Sequence, residues 1–212
     1  KGGYPQGLTS KTPIENVVQF EPDDPRNLRG TLHAQTSGIH FFVVHFDPHN
    51  YLKRQIESNA VAARVQPLIN ADETVIVLGD FNAHAPADLN QLLKQAPLLE
   101  KWKRKETEKR GFRIFEESGI PDTSVLANLL GTGLTDHAEM PMGTFPTRIL
   151  APSEPLPVHA QKLERIDFIL SHLGEPWTAA AINFPRDSIL DTLSDHYPVI
   201  MELHGKSDNP SD

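Results

Sequence analysis

Four sets of ionisable or hydrogen-bonding residues fall on or beside apolar runs of this sequence. His45 interrupts FFVVHF, Asp80 and Asn82 end VIVLGDFN, Asp167 lies inside ERIDFIL, and Asp195 and His196 open SDHYPVI. Taken singly, each has an ordinary structural role. A lone histidine in an apolar strand is usually hydrogen-bonded in the core or at an edge, Gly-Asp and Ser-Asp-His form turns through local hydrogen bonds, and backbone donors can hold a buried aspartate. The joint pattern is harder to account for in this way. An ionised carboxylate is costly to bury unless it is paired or binds a metal. Three carboxylates and two histidines at strand ends of one small domain would compensate one another, and strand ends are where layered α/β proteins form ligand sites. The combination points to a metal-dependent hydrolytic centre.

The elements that must position these residues follow from periodicity. IHFFVVHF (Ile39–Phe46) and TVIVLGDF (Thr74–Phe81) are short, rich in β-branched and aromatic residues, and predicted to be buried strands. Between them, YLKRQIESNAVAARVQPLI has Leu52, Ile56, Ala60, Ala63 and Leu68 at helical spacing, which makes residues 39–78 a strand–helix–strand unit. NVVQF and GTLHAQTSG form an earlier strand pair around an acidic, proline-containing turn at Glu21–Pro25. A helix is expected over Ala87–Gln95, with Leu89, Leu92 and Leu93 on one side. Residues 102–157 are richer in Gly and Pro, and APSEPLPVHAQ (Ala151–Gln161) reads as an exposed loop. RIDFILSH and YPVIMEL are late strands. Residues 1–204 thus make one mixed α/β domain without repeats, and GKSDNPSD (205–212) a disordered tail.

The chain has 212 residues, 38% apolar and 23% charged, enough for a sizeable core and too apolar for a disordered chain. No apolar run approaches the roughly 20 residues needed to cross a bilayer. Cysteine is absent, which excludes disulfides and Cys-ligated zinc, so a metal would be held by Asp, Glu, Asn or His. The net charge of −8 provides no global attraction for nucleic acid or an anionic membrane. A metal cation can locally reverse the sign of an acidic cleft, so phosphate-containing substrates stay open. Lys1 is not a natural start, and the compartment is undetermined, with secretion or a periplasmic location open.

GDFN (79–82), RIDFIL (165–170) and SDHYPV (194–199), in that order, resemble the endonuclease/exonuclease/phosphatase superfamily. This group contains pancreatic-type DNases, apurinic-site endonucleases, neutral sphingomyelinases and inositol-polyphosphate 5-phosphatases. VVHFD (43–47) is similar to the family's strand ending in His, and GLTSKTPIENV (7–17) to its earlier Ser-Lys/Arg-x-Pro-Ile strand. The resemblance extends from about Gly7 to Leu203. It implies an α/β (α+β) fold, a four-layered sandwich of two packed mixed β-sheets flanked by helices. The implied activity is hydrolysis of a phosphate ester with Mg²⁺, or Mn²⁺ or Ca²⁺, hard ions suited to oxygen ligands.

By the same resemblance Asp80 orients or deprotonates the attacking water, and Asn82 contacts the scissile phosphate or helps place the nucleophile. Asp195 belongs to the metal shell, His196 contacts the phosphate with Asp167 behind it, and His45 donates to another phosphate oxygen. Family members also begin with a strand ending in Asn and a second ending in Gln-Glu, whose Glu is the principal metal ligand. Neither has a counterpart here, and Glu15 and Glu21 fall after the Ser-Lys segment. The expectation is an N-terminally incomplete domain that, expressed as this segment alone, folds poorly and is inactive, because missing strands leave edges and apolar faces uncovered.

The substrate is less legible. KWKRKETEKR (101–110) is the most basic stretch, and it reads either as a solvated face balanced by Glu100, Glu106 and Glu108 or as a contact for the phosphates of a nucleic acid or inositol phosphate. Trp102 is expected to pack locally. In GLTDHAEMPMGTFPTR (133–148), Asp136 is a structural candidate, Thr144 and Arg148 are placed near the cleft, and Arg148 is the candidate substrate-binding residue. His84 and His137 are expected to be peripheral. The main reading is an enzyme acting on a phosphodiester or phosphomonoester, and the competing one is a non-catalytic scaffold of the same fold. Within the enzyme class, nuclease and small-molecule or lipid-headgroup phosphatase both remain, with acidic charge leaning slightly toward the latter.

Overall fold

A computed structural model describes residues 5–20, 30–150 and 152–205. The predicted turn at Glu21–Pro25 and tail residues 206–212 lie outside the described residues. Among the described residues, eight strands and six α-helices follow in order: β1 (Glu15–Phe20), β2 (Thr31–Thr36), β3 (Ile39–His45), α1 (Tyr51–Asn70), β4 (Val75–Asp80), α2 (Leu89–Leu92), α3 (Ala96–Glu108), α4 (Ser124–Leu130), β5 (Thr135–Asp136), α5 (Leu156–Ala160), β6 (Asp167–His172), β7 (Trp177–Asn183), α6 (Leu190–Leu193) and β8 (Ile200–Gly205). The fold is mixed α+β. A six-stranded sheet has the order β1-β2-β3-β4-β6-β5, and β7 pairs with β8 in a second sheet of two strands among the described residues.

Only β3 and β4 run parallel; the other pairs of the large sheet are antiparallel. A parallel pair needs a crossover, and α1 supplies it. Asn50 caps that helix, its side-chain oxygen accepting from Leu52 N at 3.0 Å. The core gathers Phe42 and Val44 of β3, Val75 and Val77 of β4, and Val61 and Val65 of α1.

The face by which α1 meets the sheet overlaps the predicted one only at Ala60 and Leu68. Leu52 and Ile56 are 47% and 43% exposed, whereas Ala60, Val61 and Val65 are buried. The helix carries two overlapping apolar stripes, and the one bearing β-branched valines meets the sheet. That orientation also buries Arg54, Glu57 and Ser58, each used in a tertiary contact. Arg54 donates to Asp47 O at 3.0 Å, Glu57 accepts from Asp47 N at 2.7 Å, and Ser58 Oγ accepts from Asn128 of α4 at 3.2 Å.

Other departures have local causes. The helix expected over residues 87–95 splits into a 3-10 turn at Pro86–Asp88, short α2 and then α3. Leu98 and Trp102 of α3 bury against Leu92, Phe112 and Ile114 in a second, smaller core, so the basic stretch is helical as far as Glu108 and Trp102 packs locally. SVLANLL, inside the Gly- and Pro-rich region, forms α4 and buries Val125, Leu126 and Leu129. The predicted loop at 151–161 contains the single helical turn of α5.

Candidate active site

Three functional candidates share one cross-strand row. His45 ends β3, Asp80 ends β4 and Asp167 begins β6, and the pairing places His45 opposite Asp80 and Asp80 opposite Asp167. Directly opposed residues point to the same face with their Cβ atoms about 5 Å apart, so the sheet itself brings the three side chains together. The next residue in each strand is a phenylalanine turned to the other face. Phe46, Phe81 and Phe168 are all buried. The Phe81 ring meets Phe46 edge-on at 5.4 Å and Phe168 edge-on at 5.6 Å. Each polar side chain is thereby tied to a neighbour fixed in the core.

The GDFN turn adds two backbone constraints. Gly79 has φ +132°, and a Cβ there would stand 2.1 Å from Val44 O. Only glycine permits β3 and β4 to approach this closely. Asn82 has φ +48°, a left-handed conformation that Asn tolerates better than most residues. Its backbone N donates to Asp80 Oδ1 at 2.8 Å, and its amide donates to Asp80 Oδ2 at 2.9 Å and to Phe46 O at 3.1 Å.

His196 arrives from the segment between α6 and β8. Its Nδ1 lies 2.8 Å from Asp167 Oδ2, and a carboxylate can only accept, so Nδ1 carries the proton. The imidazole also lies 4.8 Å from the Phe145 ring. Hydrogen bonds across the chain hold this segment. Thr147 N donates to Asp195 O at 2.8 Å, Thr147 Oγ1 donates to Ser194 O, and Tyr197 N donates to Thr144 O at 2.7 Å. Thr144, fully buried, accepts at Oγ1 from Ile166 N and Asp167 N, each at 3.2 Å. Thr144 therefore links the Asp167 strand to the His196 segment. Sequence reasoning placed it near the cleft without this role, because its partners lie 22 and more residues away.

The charges are strongly coupled. Burial, then the Asp167 carboxylate, push the Asp80 carboxyl up to about 7, against the pull of His196 and the Asn82 donors. His45 Nε2 is 3.6 Å from Asp80 Oδ2. For His196, burial disfavours the charged form, but the hydrogen bond and charge of Asp167, with Asp80 and Asp195 beyond, outweigh it and raise the imidazole pKa. Asp80, Asp167 and His196 each offer a ligand atom, all within 4.8 Å of one another. Two carboxylates held side by side in a largely buried row carry negative charge that a cation would offset. This oxygen-rich donor set fits a divalent ion.

Asp195, read as a metal-shell residue, is not in that group. Its side chain is exposed, with Oδ1 3.5 Å from Ser194 Oγ. Arg148 donates to Pro152 O at 2.9 Å and Glu154 O at 3.3 Å, closing its own loop. His137 Nε2 lies 3.0 Å from Ser171 Oγ at the β5 edge, and His84 is buried against Trp102 with its Nε2 3.7 Å from Glu164.

Two networks of charged residues lie beside the site, one tied across the fold through Arg165 and one local around Asp47. Arg165 bonds Asp88 at 2.8 Å and Asp136 at 2.7 Å, with its guanidinium 4.4 Å from the centre of the Phe168 ring. This gives Asp136 the structural role expected of it. Asp47 accepts from His49 N at 2.8 Å and Asn50 N at 2.9 Å. Burial raises its pKa, but these donors and Lys53 hold it below the ordinary carboxylate range.

The fold and this strand-end cluster define a class. Residues 1–196 match the Endonuclease/Exonuclease/phosphatase family, and the chain belongs to it. Among solved structures, it is similar to an AP endonuclease from Archaeoglobus fulgidus at 16% identity (TM-score 0.62, 91% of this chain and 72% of that one). It is also similar to a 3'-5' exonuclease from Neisseria meningitidis at 22% identity (TM-score 0.59, again 91% and 72%). A functionally unknown conserved protein from Enterococcus faecalis V583 aligns at 19% identity (TM-score 0.51) over 84% of this chain, which spans 57% of that protein. No curated protein matches the sequence.

Proposed function

We propose that the complete protein is a divalent-metal-dependent phosphoesterase and that this chain carries its water-activating and phosphate-contacting groups. The observation that carries the reading is the row His45–Asp80–Asp167 with His196 hydrogen-bonded at its end. A bound Mg²⁺ or Mn²⁺ would act as a Lewis acid on the phosphoryl oxygens, with Asp80 and Asp167 the donors that fit it best and Asp195 reaching it through water.

Asp80 positions the attacking water and accepts its proton, a task for which a carboxyl titrating near 7 is well matched. Both amide protons of Asn82 are engaged by Asp80 and Phe46 O. Asn82 therefore orients the Asp80 carboxylate, which supports helping to place the nucleophile over a direct contact with phosphate. Asp167 holds the His196 ring by Nδ1 and favours its protonated form, leaving Nε2 to donate to a phosphoryl oxygen. His45 donates to a second oxygen. Charge facing the phosphate is in place before the reaction and needs no reorganisation. Arg148 lies one residue beyond Thr147 and is the remaining candidate for substrate contact.

The test is hydrolysis by the full-length protein with Mg²⁺ or Mn²⁺, offered bis(p-nitrophenyl) phosphate, plasmid and abasic DNA, sphingomyelin and inositol phosphates. Activity should vanish in EDTA and in Asp80→Ala. Equal rates for wild type and Asp80→Ala would exclude the role given to Asp80. Metal-independent hydrolysis would overturn the metal-dependent reading, and absence of hydrolysis on every substrate would favour the scaffold reading.

A further inference from the structure

Glu164 keeps its charge in the interior of the fold. Its side chain is 9% exposed, yet Lys101 Nζ donates to its Oε1 at 3.3 Å and His84 Nε2 stands 3.7 Å from its Oε2. Burial alone would raise its pKa, but His84 and Lys101 outweigh that and hold the carboxyl below its ordinary range. Both partners are themselves fixed. His84 ends the GDFNAH stretch, four residues after Asp80, and its ring packs on Trp102 at 4.8 Å. Lys101 belongs to α3, which is anchored by buried Leu98 and Trp102.

The backbone of Glu164 leads from this cluster to the candidate site. Phe145 N donates to Glu164 O at 3.0 Å and Glu164 N to Phe145 O at 2.6 Å, while Thr144 N also donates to Glu164 O at 2.7 Å. Gly143 permits the approach, since a Cβ there would stand 2.5 Å from Leu163 Cβ. The Phe145 ring in turn lies 4.8 Å from the His196 imidazole, and Thr144 O accepts from Tyr197 N. The side chain of Glu164 is thus tied to α3 and the GDFNAH stretch, and its main chain to two residues that abut the His196 segment.

We propose that Lys101, Glu164 and His84 are positioning residues that hold His196 in place through the Glu164 backbone, an assignment that rests on the phosphoesterase reading above. An ionised carboxylate that loses its cation inside a protein is strongly destabilised. It regains solvation only by turning outward. Glu164 cannot do so alone, because its N–H and C=O are both bonded to the 144–145 segment. Phe145 moves with it, and the imidazole loses the ring it packs against. Removing both charges leaves nothing to expel, and neutral side chains of similar volume can occupy the same space. An ion pair that served stability alone would leave the imidazole undisturbed in any variant that still folds.

The experiment follows the His196 Nδ1–H proton resonance by NMR in the full-length protein in EDTA at fixed pH, assigned by its absence from His196→Gln. Lys101→Met should broaden that resonance and speed its exchange with solvent about tenfold or more. With Mg²⁺ and bis(p-nitrophenyl) phosphate, its kcat should fall about tenfold to a hundredfold, with KM within about threefold of wild type. The double variant Lys101→Met/Glu164→Gln should recover most of both losses. Urea unfolding identifies the folded variants, and if Lys101→Met is not among them, Lys101→Gln carries the same comparison. Three results would overturn the assignment: a wild type lacking the resonance, a folded Lys101 variant with the resonance unchanged, or a double variant no better than the single. A wild type that shows the resonance but hydrolyses nothing would count against the phosphoesterase reading and leave the resonance measurement standing.

Discussion

The two halves of the candidate site are held in different ways. His45, Asp80 and Asp167 are set by ladder register and by Phe46, Phe81 and Phe168 in the core behind them. Asp195 and His196 ride on a segment outside both sheets, held by Thr144 and Thr147 and by one hydrogen bond to Asp167. Groups on the sheet can shift only if the core repacks, whereas the His196 segment depends on a few polar contacts. A close-packed core transmits even one missing methylene, while each hydrogen bond contributes only about 1 kcal/mol net. Rigidity therefore belongs to the Asp80 row and relative freedom to the His196 segment.

The sharpest way to probe the sheet half is Asp80→Asn. Removal of the proposed general base should lower kcat by about 10²- to 10⁴-fold. The same substitution should stabilise the metal-free protein at alkaline pH. The folded Asp80 pKa of about 7 is above the ordinary carboxylate value, so folding favours the protonated form. That contribution is fully present below the unfolded pKa and is lost as pH rises through about 7. His196, whose pKa is also raised, acts in the same direction. Metal-free wild type should thus lose stability between about pH 5 and 8, and Asp80→Asn should lose less. Urea unfolding at the two pH values checks this, and a steeper decline in the variant would contradict it.

Phe81→Ala tests the anchoring directly. Truncating a fully buried phenylalanine should cost about 3–5 kcal/mol and depress activity on all substrates together, because the two neighbouring rings are left facing a void. Thr144→Val, close in volume, addresses the other half. It leaves the Ile166 and Asp167 N–H groups without their side-chain acceptor and should cost about 1–3 kcal/mol. Its effect on kcat should exceed that of a core truncation of equal cost, such as Val65→Ala, measured under the same folding conditions. The smallest effect is expected at Leu52→Gln, within about 0.5 kcal/mol because the side chain is half exposed. A destabilisation of about 2 kcal/mol or more would contradict the observed face of α1.

Much of the sheet half was legible because its signals are local. An apolar run that stops at Gly-Asp-Phe-Asn, or has Asp between Ile and Phe, already tells which residues point away from the core. What was not legible depends on distant partners. The two stripes of α1 could not be ranked without knowing that valines would meet Phe42 and Val44. β7 carries Thr-Ala-Ala-Ala, a sequence with weak strand preference, and forms only against β8. β8 itself begins at Ile200 rather than Tyr197, since Tyr197 N donates to Thr144 and Pro198 has no N–H for a ladder. The partners of Thr144 and of Arg165 have no sequence signature, because each contact is an interaction across the fold.

The close approach at Gly79 gives the GDFN turn a division of labour. The glycine works as a spacer gauge: its missing side chain sets the separation of β3 from β4, and through it the reach between His45 and Asp80. Asp80 supplies charge, Phe81 a mechanical anchor, and Asn82 a change of direction that also locks the charge in place. A substitution at the first position would blunt the chemistry of the second by moving a neighbouring strand, while leaving every reactive group intact.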